Sequence, residues 1–389
     1  MSRGKPDFWM MLIIFLLVGF GLVMVFSASY YDGLIKHDDA YYYFKRQLIW
    51  AIGAIFLFFL FSNIPYTLYR QHVGSILLGS LVVLGLVFVP GVGETVNGAS
   101  RWVQLGPIGF QPSELAKLGA VIYTASIMVK KQEMLHSFRR GLLPPLIVIG
   151  LICSLIVLEP HFSSTVILIG SCLTIIYCAG ARVKHLLLLA SAGLPVLVWV
   201  MMFERYRLER LLIFTDPWKD QTGSGYQTIQ SLFAIGPGGL IGKGLGNSIQ
   251  KLAYLPMPQT DFIFAVIAEE LGFLGGAFLI GLLIAFVIRG IRIALKAPDQ
   301  FGVLLGIGIV TMFALQAILN LGVVTALLPV TGVPLPFISY GGSSLMISMS
   351  AAGILLNLSR YHTLPARNRR NKTHLRPVPS SPSPSQLKT

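Results

Sequence analysis

The sequence predicts an all-α, polytopic membrane protein with about ten transmembrane helices, and three observations carry that prediction. The chain of 389 residues is 54% hydrophobic and only 12% charged, about half the charged fraction of a soluble domain. Apolar runs begin near Phe8, Gln47, Val73, Pro112, Leu143, Ser164, Leu187, Phe262, Gly302 and Ser343, and they approach or exceed the roughly 20 residues that cross a bilayer as helix. The N-terminus (Arg3, Lys5), the segment around Arg70, "KKQEMLHSFRR", "ARVKH", "RGIRIALKAPD" and the tail are basic and occupy alternate connections. That alternation places both termini in the cytoplasm and makes the number of spans even.

The first run, "FWMMLIIFLLVGFGLVMVFSAS", is too long for the core of a secretory signal and no clean small-residue cleavage site follows it, so it reads as a retained span. Residues 1–361 form one integral membrane domain, with outer loops at about 91–111 and 204–260 between helices. The second loop, between helices 7 and 8, carries Arg205, Arg207, Arg210, Lys219, Lys243 and Lys251; long loops are largely exempt from the charge rule. Within it, "GYQTIQSLFAIG" has the spacing of an amphipathic helix lying along the outer membrane surface. Residues 362–389 are basic, then rich in Pro and Ser, and are expected to be a disordered cytoplasmic tail.

The net charge of +14 does not indicate a nucleic-acid partner, because seven of the Lys and Arg residues lie between Arg360 and Lys388 and others sit in short loops. That placement is the footprint of membrane topology and contact with anionic lipid. Cys153, Cys172 and Cys178 fall within apolar runs without metal-ligand spacing, so neither a disulfide framework nor a metal centre is expected from them.

The stretch "LAYLPMPQTDFIFAVIAEELGFLGG" places Asp261 at the mouth of an apolar run and Glu269 and Glu270 inside it. A carboxylate at such depth is costly and must be paired, hydrated or chemically employed. Pro256 and Pro258 disfavour helix before them, so Thr260 or Asp261 can cap the helix that starts at Phe262. Alternatively, the Asp261 carboxylate faces an outward cavity as a general base. Glu269 lies about 12 Å further along that helix on roughly the same side, with Glu270 nearly opposite; a buried polar network is the simpler account of both.

In "QPSELAK", Glu114 and Lys117 are neighbours on one helix face and can neutralise each other, or Lys117 can turn inward to an anionic group. Glu159 and His161 sit at a short turn between two spans, with no second His or Cys at ligand spacing. The segment "GPGGLIGKGLGNS" lacks the spacing of a nucleotide-binding P-loop; it fits a close-packed turn or a backbone nest for an anion. Outward Arg and Lys beside one well-placed Asp suit an anionic, phosphorylated substrate arriving in the membrane plane.

The motifs "GFGLVMVFSAS", "NGASRWVQLGPIGFQPSELAKL", "DPWKDQTGSGYQTIQSLFAIGPGGLIGKGLGNSIQKLAYLPMPQTDFIFAVIAEELGFLGG" and "NLGVVTALLPVTGVPLPFISYGGSSL" together resemble the SEDS family, the shape, elongation, division and sporulation proteins. The resemblance runs from about Asp7 to Tyr361, and "GVGETVNGASRW" with "LPMPQTDFIFAVIAEELG" is nearer the FtsW/SpoVE branch than RodA. It implies a ten-helix peptidoglycan glycosyltransferase of the bacterial cell membrane, at the division or sporulation septum, that polymerises glycan strands from lipid II. The family's essential aspartate falls on Asp261. Its outer-loop Trp falls on Trp102 beside Arg101, its membrane Lys on Lys117, and its arginines before the "PW" motif on Arg207 and Arg210.

Lys243 and Lys251 complete the candidate substrate-binding set, and Glu114, Glu159, Glu269 and Glu270 the supporting polar network. A Mg²⁺ or Mn²⁺ ion is a further candidate. The implied partners are lipid II and the growing glycan strand, a class B penicillin-binding protein (a transpeptidase), other divisome proteins and membrane lipids. The resemblance departs at "EPHFSST", where members commonly read "QPD-x-GT": Glu159, His161 and Ser164 replace Gln, Asp and Gly. Two other readings remain at this point, a lipid II flippase that would use the buried charges, and a non-catalytic scaffold of the division machinery.

Overall fold

The computed structural model of the chain describes residues 4–96, 99–105, 108–159, 162–189, 191, 193, 195, 213–223 and 225–361. Helix α1 (Phe8–His37) starts where the Asp7 carboxylate accepts the Met10 N–H at 2.8 Å. It ends at Asp38, whose left-handed φ of 53° closes the last turn. Helix α2 (Tyr42–Asn63) stops because Ile64 precedes Pro65 and is held extended at ψ 124°. Short α3 (Tyr66–Gln71) leads into α4 (Val73–Gly85).

The connection after α4 then folds as a small antiparallel sheet, β1 (Gly93–Val96), β2 (Ala99–Leu105) and β3 (Ile108–Phe110), in that spatial order. The hydropathy pattern does not anticipate this sheet in an otherwise all-α fold. Helix α5 (Pro112–Lys130) opens on Pro112, whose missing N–H costs nothing at a first helical position. Helices α6 (Leu143–Leu158) and α7 (Phe162–Cys178) follow, and residues 183–189 are helical. The long connection before the next apolar helix contains α8 (Tyr226–Ile235), the stretch expected to be an amphipathic helix. The chain closes with α9 (Ile263–Leu295), α10 (Gln300–Val324) and α11 (Gly342–Ser359).

Six helical stretches among the described residues are long and apolar enough to cross a membrane: α1, α2, Phe138–Leu158, α9, α10 and α11. Shorter apolar helices cover Val73–Phe88 and Phe162–Cys178. Helix α5 is less apolar because it carries Glu114 and Lys117, and most of its residues are buried. The run expected from Leu187 falls where the description is partial.

The two chain ends meet on one face of the bundle, as an even number of crossings requires. The Gly4 N–H donates to the Arg360 carbonyl at 2.8 Å, and the Asp7 N–H to Ser359 Oγ at 2.9 Å. Arg289 of α9 grips the Asp7 carboxylate through two nitrogens, Nη2 at 2.6 Å. On the same face Tyr66 donates to Asp299, the residue that caps α10, at 2.7 Å. Asp261 therefore lies towards the opposite end of α9 from the termini.

Between α10 and α11 the chain does not simply cross outside the bundle. Val333 and residues 335–339 are buried without helix or strand, which membrane proteins tolerate where irregular backbone is enclosed by protein. Phe337 sits between Phe286 of α9 and Phe313 of α10, with ring centroids 5.4 and 5.0 Å away. Gln47 of α2 accepts the Gly341 N–H at 3.2 Å, and Gln316 of α10 donates to the Pro334 carbonyl at 3.1 Å. Gly21, near the middle of α1, makes the insertion possible: a Cβ there would stand 2.8 Å from Phe337 O and Ile338 Cα. Gly21→Val is expected to cost about 1–3 kcal/mol by overpacking, read as a lower melting temperature in detergent. An unchanged melting temperature would show that the segment is not seated against α1.

Candidate active site

Asp261 sits where two irregular segments meet. The first, 252–261, is bent by Pro256 and Pro258 and by left-handed residues Ala253 (φ 66°) and Met257 (φ 47°). The Thr260 hydroxyl donates to the Met257 carbonyl at 2.8 Å, and α9 begins at Ile263 with Phe262 in the N-cap position. Neither Thr260 nor Asp261 occupies the cap, so that expectation is corrected: with the turn at 257–260 the helix starts one residue later than expected, at Ile263. The second segment is 329–341, whose Pro329, Pro334 and Pro336 have no N–H to offer a helix.

Asn320 of α10, 1% exposed, ties the two together. Its Nδ2 donates to the Asp261 carbonyl and the Val333 carbonyl, both at 2.7 Å. The Tyr340 N–H donates to the Gln259 carbonyl at 2.8 Å, and Ser163 of α7 donates to the Thr331 carbonyl at 3.0 Å. Asp261 is half-buried, and its Oδ2 lies 3.5 Å from where a Cβ on Gly332 would stand. The carboxylate thus rests against bare backbone of the second segment. Burial lifts the Tyr340 phenol above its ordinary pKa.

The other charged candidates are matched in pairs. Lys117 Nζ donates to Glu114 Oε1 at 2.7 Å, with side chains 1% and 5% exposed, the mutual neutralisation that their spacing allows. Lys243 donates to Glu269 at 2.8 Å and Lys251 to Glu270 at 2.7 Å. Glu269 also accepts from Ser248 Oγ (2.6 Å) and the Ile249 N–H (3.0 Å). Glu270 accepts from Ser27 Oγ of α1 at 2.6 Å. Both carboxylates therefore face one cradle, residues 243–251. Glu270, which helical periodicity sets nearly opposite Asp261, is reached by the same cradle as Glu269 because the chain wraps round the helix here.

That wrapping follows from a break inside α9. Gly272, at φ 63° and ψ −160°, is not helical. The peptide groups freed there are taken by "GPGGLIGKGLGNS". The Lys243 and Gly244 N–H groups donate to the Glu269 and Glu270 carbonyls at 3.0 and 2.9 Å. The Phe273 and Leu274 N–H groups donate to the Gly239 and Leu240 carbonyls at 2.8 and 3.1 Å. Gly242 (φ 75°) and Gly272 touch backbone to backbone, since a Cβ on either would fall within 2.3 Å of the other strand. Of the two readings left open for this glycine segment, the structure supports the close-packed turn. Beside the break lies an apolar cavity of about 610 Å³ lined by Phe264, Ala268, Gly276 and Ile280 with Gly236 and Gly239.

Trp102 lies on β2 opposite Glu94, partly exposed and packed over Gly109 of β3. Arg101 is its neighbour on β2, and its side chain lies outside the described part. Arg207, Arg210 and His161 lie outside the described residues altogether. Glu159 is fully buried at the end of α6. Among the described residues no three His, Cys, Asp or Glu side chains come together to hold a metal ion. The sequence reading missed Asn320, Gln316, Gln47 and Ser27. For Gln316 and Asn320 the signal was available: each is a single polar residue inside an apolar run, where a hydrogen-bonding group is retained only with a partner.

Fold and site together define a polytopic membrane protein whose outer irregular segments hold one aspartate at the bundle's mouth. The family described as cell cycle protein, comprising FtsW, RodA and SpoVE, matches residues 8–364. Stage V sporulation protein E of Bacillus subtilis (strain 168) is 44% identical over 361 residues, covering 92% of this chain and 98% of that protein. A probable peptidoglycan glycosyltransferase FtsW of Geobacter metallireducens is 41% identical over 355 residues, covering 91% and 95%. Among solved structures, a chain from work on the coordination of polymerization and crosslinking by a peptidoglycan synthase complex superposes with TM-score 0.75 at 30% identity, covering 92% and 98%. The rod shape determining protein RodA of Thermus thermophilus gives 0.68 at 28% identity, covering 92% and 99%. The chain belongs to the FtsW/RodA/SpoVE family of membrane proteins.

The Lys117–Glu114 pair generates a test of its own. Removing one partner of a buried ion pair costs about 3–5 kcal/mol, whereas replacing both by apolar groups is often neutral. Lys117→Met is expected to lower the melting temperature sharply, and Lys117→Met with Glu114→Leu to recover most of the loss. A double variant as unstable as the single one would show that Lys117 has a further essential partner.

Proposed function

We propose that this chain is a peptidoglycan glycosyltransferase that polymerises glycan strands from lipid II at the outer face of the bacterial cell membrane, with Asp261 as general base. The observation that carries this reading is the placement of Asp261: half-buried, held through its own carbonyl by Asn320, and set against the bare backbone of Gly332. A carboxylate fixed in that way keeps its position while a substrate enters, which proton transfer requires.

In this mechanism both substrates are lipid-linked disaccharide-peptides. Asp261 takes the proton from the 4-hydroxyl of the acceptor's GlcNAc as that oxygen attacks the anomeric carbon of the donor's MurNAc. The bond from that carbon to the diphosphate oxygen breaks, undecaprenyl diphosphate leaves with the electron pair, and the anomeric centre inverts. Charge grows on the leaving diphosphate, and stabilising it is the largest catalytic need. Lys117, Lys243 and Lys251 are each bonded to a glutamate, so this role falls to Arg101, Arg207 and Arg210. The apolar cavity beside the break in α9 offers surface for the isoprenoid chain. A transporter would need intramembrane charges that exchange partners, and the saturated pairs of Glu269 and Glu270 favour a fixed scaffold instead. A class B transpeptidase is the expected partner, at a division or sporulation septum.

Asp261→Asn, purified and supplied with lipid II, is expected to lose at least about 10²-fold in polymer formation while keeping the wild-type melting temperature. Wild-type polymer formation by Asp261→Asn would overturn the assignment.

A further inference from the structure

Resting on that reading, we infer that Lys251, Glu270 and Ser27 form a clamp that positions Asp261, with Lys251 and Ser27 acting as positioning residues rather than as substrate ligands. Asp261 stands midway in sequence between Lys251 and Glu270, and those two residues meet at 2.7 Å. The segment that carries Asp261 is therefore a closed loop whose base is an ion pair. Ser27 joins that base from α1: its hydroxyl donates to Glu270 Oε2 at 2.6 Å, and Lys251 Nζ reaches Ser27 Oγ at 3.3 Å. Lys251 is 4% exposed, Ser27 7% and Glu270 0%, so water is excluded from the base of the loop.

A clamp built this way does more than hold the fold together. A buried ion pair is weak evidence for stability, because well-packed apolar residues of similar volume serve as well or better. Its particular property is direction: three charge-assisted bonds fix the loop base along set axes, where apolar contacts allow sliding. At its far end the loop is tied at two neighbouring carbonyls, Gln259 accepting from the Tyr340 N–H at 2.8 Å and Asp261 from Asn320 at 2.7 Å. Leu255 is buried and its N–H donates to the Gln250 carbonyl, and beyond it Thr260 bonds only within its own turn. Asp261 is then held from two sides, by Asn320 at the mouth and by the clamp below. A displacement of about 1 Å at a reacting group costs about 10²-fold in rate, so freeing one side should appear in turnover before it appears in stability.

The test uses the full chain in detergent or proteoliposomes with lipid II. The double variant Lys251→Met with Glu270→Met is expected to melt at or above the wild-type temperature while kcat falls about 10–10²-fold and KM stays unchanged. Ser27→Ala keeps the ion pair and is expected to lower kcat by a smaller factor, again with KM unchanged; Lys251→Arg restores a cation and should retain more activity than Lys251→Met. Wild-type kcat in the double variant overturns the inference, as does a loss of kcat that merely follows a loss of melting temperature. Should the double variant fail to fold, unchanged kcat in Ser27→Ala overturns it. Asp261→Asn runs alongside. If that variant is inactive while the clamp variants are normal, only the clamp fails; if it polymerises normally, the base assignment itself fails.

Discussion

A peptide group without a hydrogen-bond partner in hydrocarbon costs several kcal/mol, and the whole outer half of this molecule is arranged round one place where α9 cannot supply its own. The break at Gly272 frees donors and acceptors on both sides, and the glycine-rich segment answers with four hydrogen bonds. Only glycine permits it. At Gly242 and Gly272 the two backbones approach so closely that a Cβ on either would enter the other chain, and both have positive φ. Once the segment is bound there, residues 243–251 are delivered to Glu269 and Glu270, and the loop bearing Asp261 starts from a fixed point.

Seen from the break, the buried carboxylates have a consistent account. Two glutamates inside an apolar helix are costly unless each is paired and its remaining lone pairs are filled. Here the backbone crossing and the carboxylate pairing are one structure: Lys243 bonds the Glu269 carbonyl through its N–H and the Glu269 carboxylate through its side chain. Ser248 serves Glu269 through its hydroxyl, and its N–H lies 3.4 Å from Glu270. The 329–341 segment solves the same problem differently. Side-chain amides from the surrounding helices, Gln47, Gln316 and Asn320, supply what a missing helix or strand would have supplied.

Much of this was legible in the sequence, and the remainder was hidden for identifiable reasons. Apolar run length located the helices because hydrocarbon enforces one element type, and the isolated acid after "PMPQT" marked Asp261. Helical spacing offered the pairing of Glu114 with Lys117 as one of two readings, and the structure shows that pair. The sheet at 93–110 had a local signal too, because the sequence reads Asn-Gly at 97–98, a pair that commonly marks a hairpin. A hydropathy reading passes over it because the strands are short and polar. The crossing of 239–244 over Gly272 could not be read locally. Its glycines look like any flexible loop until the distant strand they touch is known. The partners of Glu269 and Glu270 were likewise set by a wrap in three dimensions, which helical periodicity cannot report.

The placement of Asp261 between two irregular segments, rather than on a helix, suits the general-base role proposed for it. A side chain on a continuous membrane helix is positioned well but surrounded by neighbouring helices, which leaves no room for a sugar. A side chain on a free loop has room and no fixed position. Asp261 has access because prolines keep 252–261 and 329–341 out of helix, and it has position because Asn320 fastens both segments to α10 while the crossing at Gly272 anchors the loop from below. Irregular backbone on a rigid scaffold is where catalytic groups are generally found. In a membrane that arrangement is possible only if every loosened peptide group is bonded again nearby, so the amides and glycines that do the bonding are as necessary to the site as the carboxylate they hold.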